Sequence, residues 1–222
     1  MIDLEREGVV WVVRMAAGEN RIGPDFVAAF AGALDTIEAS RGPAALVTTG
    51  TGRFFSNGLD LAALGALGAR AWEAVRGFEA LLARLVAFPL VTVAALNGHA
   101  FAGGALLALA HDFRVMRADR GWLCLPEVDL ATGQPMTPGM LALLDARLEG
   151  PVAHELLVTG RRLAAAEAVA RCAVDAAAPA ADVVATAVAL AALHGGKDRA
   201  TLAALKRGRL AGAVAALAPA PA

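Results

Sequence analysis

Two glycine-containing turns in this sequence have the composition needed to point backbone N–H groups at a single oxygen atom. They are SNGLD, residues 56–60, and AFAGG, residues 100–104, and each joins an apolar, strand-like run to the beginning of a helix. Free N–H groups project outward at such a corner, and the helix dipole favours negative charge there. One corner alone is weak evidence, because glycine at a strand–helix junction is commonly needed only for packing. Two corners that converge would form an oxyanion hole.

Several ionisable residues near these turns have to be weighed as catalytic groups. Glu127 follows a proline in an apolar stretch, and taken alone it is an ordinary surface or helix-capping carboxylate. Asp60 is placed to begin a helix, and Asp112 ends an apolar helix, where a satisfied buried hydrogen bond is the usual role. His99 and His111 are tempting bases, but a single histidine beside an apolar helix is usually structural. The residues alone therefore leave the acid–base group undecided.

The elements that position these turns follow from hydrophobic periodicity. Short β-branched or apolar runs predict strands, helical spacing predicts the segments between them, and their alternation indicates an α/β fold built from βαβ units. The predicted strands are VVWVVRM, AALVTT, PLVTVAAL and FRVMRAD, and the predicted helices include DFVAAFAGALDTIEA and GGALLALAHD. From Met136 onward the pattern is almost wholly helical, and the Ala/Pro-rich tail after Leu210 is expected to be poorly ordered.

Composition excludes several classes of function. The 222 residues carry 20 basic and 21 acidic side chains without a basic run, which argues against a nucleic-acid partner. The uncharged stretch 85–110 is long enough to cross a bilayer. It contains Pro89, Asn97, Gly98 and His99, so that a buried strand, a turn and a helix explain it better. No membrane association is expected.

Features of the two ends and of the cysteines predict a cytoplasmic protein. Cys124 and Cys172 match no metal or redox spacing and are expected to be reduced thiols. The N-terminal residues are acidic where a signal peptide requires basic ones, and the final APAPA is neither a lipidation motif nor a peroxisomal address.

Together the two turns resemble the paired signature of the crotonase (enoyl-CoA hydratase/isomerase) superfamily. FFSNGLDL is followed about forty residues later by NGHAFAGGALLALAHD, and the similarity extends from about Val9 to at least Asp175. The resemblance implies a ββα spiral core over residues 1–150 and a helical C-terminal region over residues 151–222 that assembles a homotrimer or a dimer of trimers. It also implies an acyl-CoA thioester as substrate. Coenzyme A then belongs to the substrate, and neither a separate cofactor nor a metal is expected.

The same resemblance assigns catalytic positions. The backbone N–H groups of Leu59 and Gly103 would bind the thioester oxygen as it becomes an enolate, and Ala102 replaces the first glycine of the usual triplet. Hydratases of the family use two glutamates to activate water. Here Leu106 occupies one of those positions and Glu127 the other. A single carboxylate suits proton transfer from C2 to C4, so that the resemblance favours a Δ3,Δ2-enoyl-CoA isomerase, as does the similarity of residues 125–175 to that branch.

Residues that bind the substrate follow from the resemblance as well. The expected group lies at the Asn20–Arg21 turn, in the loop from residue 53 to 61 and on the helix after Gly103, and comprises Arg21, Arg53, Asn57, Asp60, Leu61 and Leu106. Arg21 and Arg53 would pair with phosphates of coenzyme A. A loop-stabilising role is the alternative for Asn57. Lys206 is expected to reach the coenzyme A of a neighbouring subunit.

Two alternatives remain open on the sequence. One is another reaction of the superfamily, such as hydration, thioester hydrolysis, decarboxylation or dehalogenation. The other is a CoA-ester-binding protein that has lost catalysis, which the missing second glutamate suggests. Exchange of the substrate's α-proton with solvent separates an enolate-forming enzyme from an inactive binding protein, and product analysis separates the reactions.

Overall fold

Strands and helices alternate along most of the chain, as the sequence predicts. The computed structural model describes residues 1–130 and 136–218. Its strands are Ile2–Glu7 (β1), Val10–Met15 (β2), Ala45–Gly50 (β3), Phe54–Ser56 (β4), Thr92–Leu96 (β5), His99–Phe101 (β6), Phe113–Arg117 (β7), Leu123–Cys124 (β8), Arg162–Leu163 (β9) and Ala176–Ala178 (β10).

Helices pack against two sheets formed by these strands. They are Pro24–Ala39 (α1), Leu61–Leu67 (α2), Ala71–Val86 (α3), Gly103–Leu109 (α4), Pro138–Arg147 (α5), Gly150–Thr159 (α6), Ala165–Ala170 (α7), Val183–Ala192 (α8), Arg199–Arg209 (α9) and Ala211–Leu217 (α10). Short 3₁₀ turns cover Gly68–Arg70 and Pro126–Asp129. The α/β class expected from the sequence is confirmed.

The larger sheet has six strands in the order β1-β2-β3-β5-β7-β10. Every neighbouring pair is parallel except β1 with β2. All residues of β3 and β5 are buried, because helices cover both faces of a parallel sheet, and their uncharged sequences reflect this. Strand β1 was not predicted. Its charged residues fit an edge strand, where Glu5 pairs with Arg14 of β2.

The smaller sheet holds the two glycine corners. Its order is β4-β6-β8-β9, and β4, β6 and β8 run parallel to one another. Parallel strands end at the same edge, so that the segments following Ser56, Phe101 and Cys124 all leave the sheet on one side. The three candidate catalytic segments follow these strands. The sheet therefore brings together residues that are far apart in the sequence.

The C-terminal part of the chain differs from its helical prediction. Strand β9 pairs with β8 of the smaller sheet, and β10 pairs with β7 of the larger one. The expectation of a poorly ordered tail after Leu210 is wrong through residue 217. Helix α10 buries Ala213 and Leu217 against α3 and α5, because its apolar side recurs at helical spacing. Residues 219–222 and residues 131–135, which belong to the isomerase-like segment, lie outside the described residues. The boundary at residue 150 stays a prediction.

The uncharged stretch 85–110 is divided among several elements. It contains the end of α3, strands β5 and β6, and α4. Within residues 1–130 and 136–218, no helix combines the length and apolarity needed to span a bilayer. The interpretation of this stretch as strand, turn and buried helix is confirmed, and the cytoplasmic location stays a prediction.

Candidate active site

The two glycine corners converge in the structure. A Cβ atom added to Gly103 would lie 3.4 Å from the Leu59 nitrogen and 3.5 Å from Gly58 Cα. One added to Gly58 would lie 3.0 Å from the Gly103 nitrogen and 2.9 Å from the Ala102 Cβ. Gly58 also has a φ of +81°, so that both space and backbone conformation demand glycine there. The two backbone nitrogens predicted to act together are therefore neighbours.

Both nitrogens are free to donate. Among the described residues, the N–H groups of Leu59 and Gly103 have no hydrogen-bond acceptor, although the neighbouring backbone is well paired. The Gly58 carbonyl accepts from Ile22 N–H at 2.8 Å, and Asp60 N–H donates to the Ile22 carbonyl at 2.9 Å. These bonds hold the Leu59 peptide in place while its own N–H remains available. Two adjacent free donors are what an oxyanion requires.

The first corner is held by Asn20 and Ser56, which the sequence did not single out as positioning residues. Asn20 is fully buried, and its amide donates to the carbonyls of Phe54 and Phe55 at 3.2 and 3.0 Å. The Ser56 hydroxyl donates to the Asn20 carbonyl at 2.7 Å and accepts from Gly58 N–H at 3.2 Å. A polar residue such as Ser56, next to a buried strand and inside a glycine motif, is the sequence signal that could have indicated these hydrogen bonds.

The second corner carries backbone strain. Ala102 has φ +51° and ψ −123°, a conformation that residues other than glycine rarely adopt. Its N–H donates to the Cys124 carbonyl at 3.0 Å, and its carbonyl accepts from Ala105 and Leu106 of α4. These hydrogen bonds hold the strained peptide that aims the Gly103 N–H. Replacement of the family's glycine by Ala102 leaves the donor in place, as expected, but in a strained backbone.

Glu127 is delivered to the same edge of the sheet by β8. Phe101 of β6 is the partner of Cys124 in the register, so that Glu127 follows three residues after the strand position adjacent to the second corner. The Glu127 Oε2 atom is buried and has no hydrogen-bond partner among the described residues. Because burial strips water from the carboxylate, the pKa of Glu127 is raised to about 7. A carboxylate with this pKa suits general acid–base catalysis near neutral pH.

Apolar side chains are buried on the two helices next to the second corner. Leu106 lies one turn into α4 and is 1% exposed. By the resemblance described above, this is the position at which hydratases carry a glutamate. The ring of Phe78, from α3, lies 3.3 Å from the position of a Cβ on Gly103. Phe78 was not identified from the sequence, since nothing local in α3 distinguishes it from the rest of the core. Of the two glutamate positions in the family pattern, only residue 127 therefore carries a carboxylate in this chain.

Three of the predicted substrate-binding residues lie together beside the first corner. Glu19 accepts from the Asn57 amide at 3.0 Å and pairs with Arg21 at 2.6 Å. Asp60 caps α2 by accepting from the Ala63 N–H at 3.0 Å. Asn57 thus has the loop-stabilising contact that was its alternative role, and Asp60 begins a helix as predicted. Their role in binding substrate stays a prediction.

The remaining predicted substrate residues are more scattered. Leu61 begins α2 and is largely exposed, while Leu106 is buried on α4. Arg53 precedes β4, at the opposite edge of the smaller sheet from the donors, and its guanidinium lies 5.5 Å from the centre of the Phe54 ring. Arg53 and Arg21 both act on the Glu19 carboxylate, which Arg21 contacts at 2.6 Å and which Arg53 reaches only through longer-range attraction. Their assignment to phosphates of coenzyme A stays a prediction.

Other polar residues from the sequence have structural partners. His111 is buried between the Leu107 carbonyl and the Thr48 hydroxyl, both at 2.8 Å. Asp112 accepts from Thr92 N–H at 2.9 Å, which confirms its predicted buried hydrogen bond. Lys206 is 8% exposed and donates to Asp112 and to the Leu90 carbonyl. The expectation that Lys206 reaches a neighbouring subunit is wrong, since its ammonium group is used within its own chain.

Metal binding finds no support in the part of the chain that the structure describes. Among residues 1–130 and 136–218, no group of three or more His, Cys, Asp or Glu side chains is arranged to hold a metal ion. The site has instead two backbone donors, one buried carboxylate and an apolar wall. This combination can stabilise an oxyanion and move a proton.

Comparisons of sequence agree with this geometry. The model of the enoyl-CoA hydratase/isomerase family matches residues 5–217. Enoyl-CoA delta isomerase 3 of Arabidopsis thaliana is 40% identical over 185 residues, covering 80% of this chain and 77% of that protein. The peroxisomal enoyl-CoA delta isomerase 2 of the same plant is 39% identical over 188 residues, with the same coverage.

Comparisons of structure place the fold in the same family. An enoyl-CoA isomerase from Mycobacterium tuberculosis superposes with a TM-score of 0.88 at 29% identity, covering 97% of this chain and 93% of that one. An enoyl-CoA hydratase from Mycobacterium marinum also has a TM-score of 0.88, at 27% identity and with coverage of 97% and 94%. The crotonase-type architecture is confirmed. The chain belongs to the enoyl-CoA hydratase/isomerase family and lies near its delta isomerase branch.

Proposed function

We propose that this protein is an enoyl-CoA delta isomerase that moves the double bond of 3-enoyl-CoA thioesters to the 2-position. The observation that carries the proposal is Leu106, a buried leucine where hydratases of the family hold a second glutamate. Leucine can neither bind a water molecule nor accept a proton. Delta isomerases among the relatives, at up to 40% identity, support the same choice.

The proposed mechanism begins with binding of the thioester oxygen by the N–H groups of Leu59 and Gly103. The Glu127 carboxylate then removes a proton from C2, and the electrons move onto the thioester oxygen to form a dienolate. Each oxyanion donor is worth about 3 kcal/mol in comparable sites. Glu127 returns the proton to C4, which re-forms the thioester carbonyl and leaves the double bond between C2 and C3. The apolar surroundings exclude water that would compete for the intermediate.

Replacing Glu127 tests the mechanism directly. Glu127→Gln should lower the rate of 3-enoyl-CoA isomerisation by at least about 100-fold, because the amide cannot accept the proton. The circular dichroism spectrum should be unchanged, and the exposed Glu149→Gln is the matched control with the wild-type rate. Wild-type activity in the Glu127→Gln variant would rule out Glu127 as the base.

Hydration provides the discriminating assay. Crotonyl-CoA should be hydrated slowly or not at all by the wild type, because the chain has one of the two carboxylates that activate water. The α-proton of a saturated acyl-CoA should nevertheless exchange with deuterium in D₂O, as enolate formation requires. Rapid hydration of crotonyl-CoA would mean that the protein is a hydratase and not an isomerase. Binding of the acyl-CoA without exchange of its α-proton would indicate an inactive binding protein.

We also propose assembly as a homotrimer or a dimer of trimers, the arrangement implied by the family. Light scattering coupled to size exclusion should then give three or six times the chain mass of 22.5 kDa. A monomer at working concentration would contradict this.

A further inference from the structure

A charged cavity lies at the edge of the smaller sheet opposite the oxyanion donors. Its volume is about 500 Å³, and its lining includes Arg53, His99, Arg120 and Trp122. Arg53 precedes β4, His99 begins β6, and Trp122 precedes β8. Since β4, β6 and β8 are parallel, these residues lie at the strand beginnings, whereas the donors and Glu127 follow the strand ends. The cavity is therefore separate from the site of proton transfer.

Positive charge accumulates around this cavity. Arg53 and Arg120 line it, and the guanidinium of Arg162 lies 5.2 Å from the centre of the Trp122 ring. Among the described residues, none of these three arginines has a carboxylate within salt-bridge distance. The acidic residue of the lining, Asp119, already holds Arg117 through two contacts of 2.7 Å. Asp119 and Glu19 lie within electrostatic range of Arg120 and Arg53, but both carboxylates are exposed and each already pairs with another arginine. The positive charge of the cavity is therefore only partly compensated.

His99 gives a second, independent indication. It is 4% exposed, it lines the cavity, and its Nδ1 atom has no hydrogen-bond partner among the described residues. An unsatisfied buried polar atom is costly in a folded protein. Burial lowers the pKa of His99, and Arg53, Arg162 and Arg120 lower it further. Because three arginines act on the imidazole, the electrostatic potential at His99 is positive, and a positive potential favours binding of an anion.

We propose that this arginine cavity, which is lined by Arg53, His99, Arg120 and Trp122 and has Arg162 behind the Trp122 ring, binds a phosphate-bearing small molecule. Planar guanidinium groups pair with phosphate oxygens in a bidentate manner, and the two in the lining, Arg53 and Arg120, suit a ligand with more than one negative charge. The volume lies in the range of small-molecule sites and exceeds the needs of one phosphate ion. Arg53 then serves this cavity, in place of the phosphates of coenzyme A.

Calorimetric titration with inorganic pyrophosphate and with ADP tests the proposal on the purified full-length protein. Arg120→Gln should weaken the binding of pyrophosphate about 10-fold, the value of one charge-assisted hydrogen bond. Arg120→Lys should weaken it less, because the charge remains. Arg41→Gln, an exposed arginine outside the cavity, is the matched control and should bind like the wild type. Tighter binding of ADP would identify a nucleotide, and equal binding would identify the phosphates alone, and both results support the site.

Competition with coenzyme A separates this cavity from the thioester site. Saturation with free coenzyme A should leave the Kd for pyrophosphate unchanged if the two sites are distinct. Displacement of pyrophosphate by coenzyme A would overturn the proposal, as would an Arg120→Gln variant with wild-type affinity. Absence of any binding by the wild type at low ionic strength would overturn it too, because electrostatic attraction is strongest there.

Discussion

Burial of the Glu127 carboxylate, at the scale of a single residue, couples activity to stability. The pKa of Glu127 is raised to about 7 by loss of hydration, from an ordinary value of 4.5. The group binds its proton more tightly in the folded state than in the unfolded one. Stability from this residue is therefore fully present below about pH 4.5 and is lost as the pH rises through 7. The proposed proton abstraction needs the ionised form, and that is the form whose burial lowers the stability of the fold.

A pH profile checks both consequences. The kcat/KM for isomerisation should rise with pH through about 7 and level off above it, because the proposed mechanism requires the ionised form of Glu127. The Tm of Glu127→Gln should exceed that of the wild type at pH 8, and the difference should vanish near pH 4.5. A flat rate profile between pH 5 and 8 would contradict the raised pKa.

Backbone strain at Ala102 leads to another prediction at this scale. Ala102→Gly should raise the free energy of unfolding by about 1 kcal/mol, because glycine adopts φ +51° and ψ −123° without strain. This net value already includes the opposing cost of the greater conformational freedom of glycine in the unfolded chain. Isomerase activity should be retained, since Gly103 keeps its position. Chemical denaturation measures the change. Ala105→Gly, within α4, is the control and should be destabilising by about 1 kcal/mol; a loss of stability in both variants would deny the strain at residue 102.

At the scale of elements, the smaller sheet assembles the site. Strands β4, β6 and β8 hold only a few residues each, yet their parallel register puts Leu59, Gly103 and Glu127 at one edge. Helix α4 approaches so closely that a Cβ on Gly104 would collide with the Ser56 carbonyl oxygen. This contact requires glycine and holds the second corner against the first.

Helix α10 is the element that the sequence misjudged, and its packing can be measured. Leu217 is 1% exposed, in a helix that packs on α3 and α5. Leu217→Ala should lower the free energy of unfolding by about 2–5 kcal/mol through lost burial and a residual cavity. The exposed Ala215→Ser should change it by less than about 0.5 kcal/mol. Equal stability of the two variants would mean that α10 does not belong to the core.

At the scale of the whole molecule, a buried ion pair joins the C-terminal helices to the larger sheet. Lys206 of α9 donates to Asp112, which also accepts from the Thr92 N–H group at the beginning of β5. The ammonium group further donates to the Leu90 carbonyl at 2.7 Å. Residues separated by about a hundred positions are thus connected in one polar network.

Removal of the Lys206 ammonium should lower the free energy of unfolding, because the buried Asp112 carboxylate loses its hydrogen-bonded cation. Lys206→Met should destabilise the fold by about 3 kcal/mol, since Asp112 would lose the ammonium that hydrogen-bonds it and keep only the Arg147 guanidinium 4.0 Å away. Combining it with Asp112→Asn should cost less than the sum of the two single changes. Thermal unfolding measures these differences, with the exposed Lys197→Met as control. Strict additivity would show that the pair is not coupled.

Local features of the sequence were sufficient for the α/β class and for locating the two glycine corners. Apolar runs such as PLVTVAAL predict buried strands because a parallel sheet excludes charge from both faces, and the glycines of SNGLD and AFAGG indicate turns that need small residues. The two motifs together indicate the family, and the family pattern then assigns the positions of Glu127 and Leu106. Strand β10 escaped prediction because three alanines have no strand signature of their own.

Tertiary contacts supplied what no local pattern contains. The approach of Leu59 to Gly103 depends on strand order, and the raised pKa of Glu127 depends on how many atoms of other segments exclude water from it. The grouping of Arg53, Arg120 and Arg162 around His99 joins residues more than a hundred positions apart. Periodicity reports which face of an element is buried, whereas convergence and desolvation are properties of the space between elements. The chain's sequence thus indicates the candidate donors and the candidate base, and only the packed fold makes the two donors neighbours and buries the carboxylate.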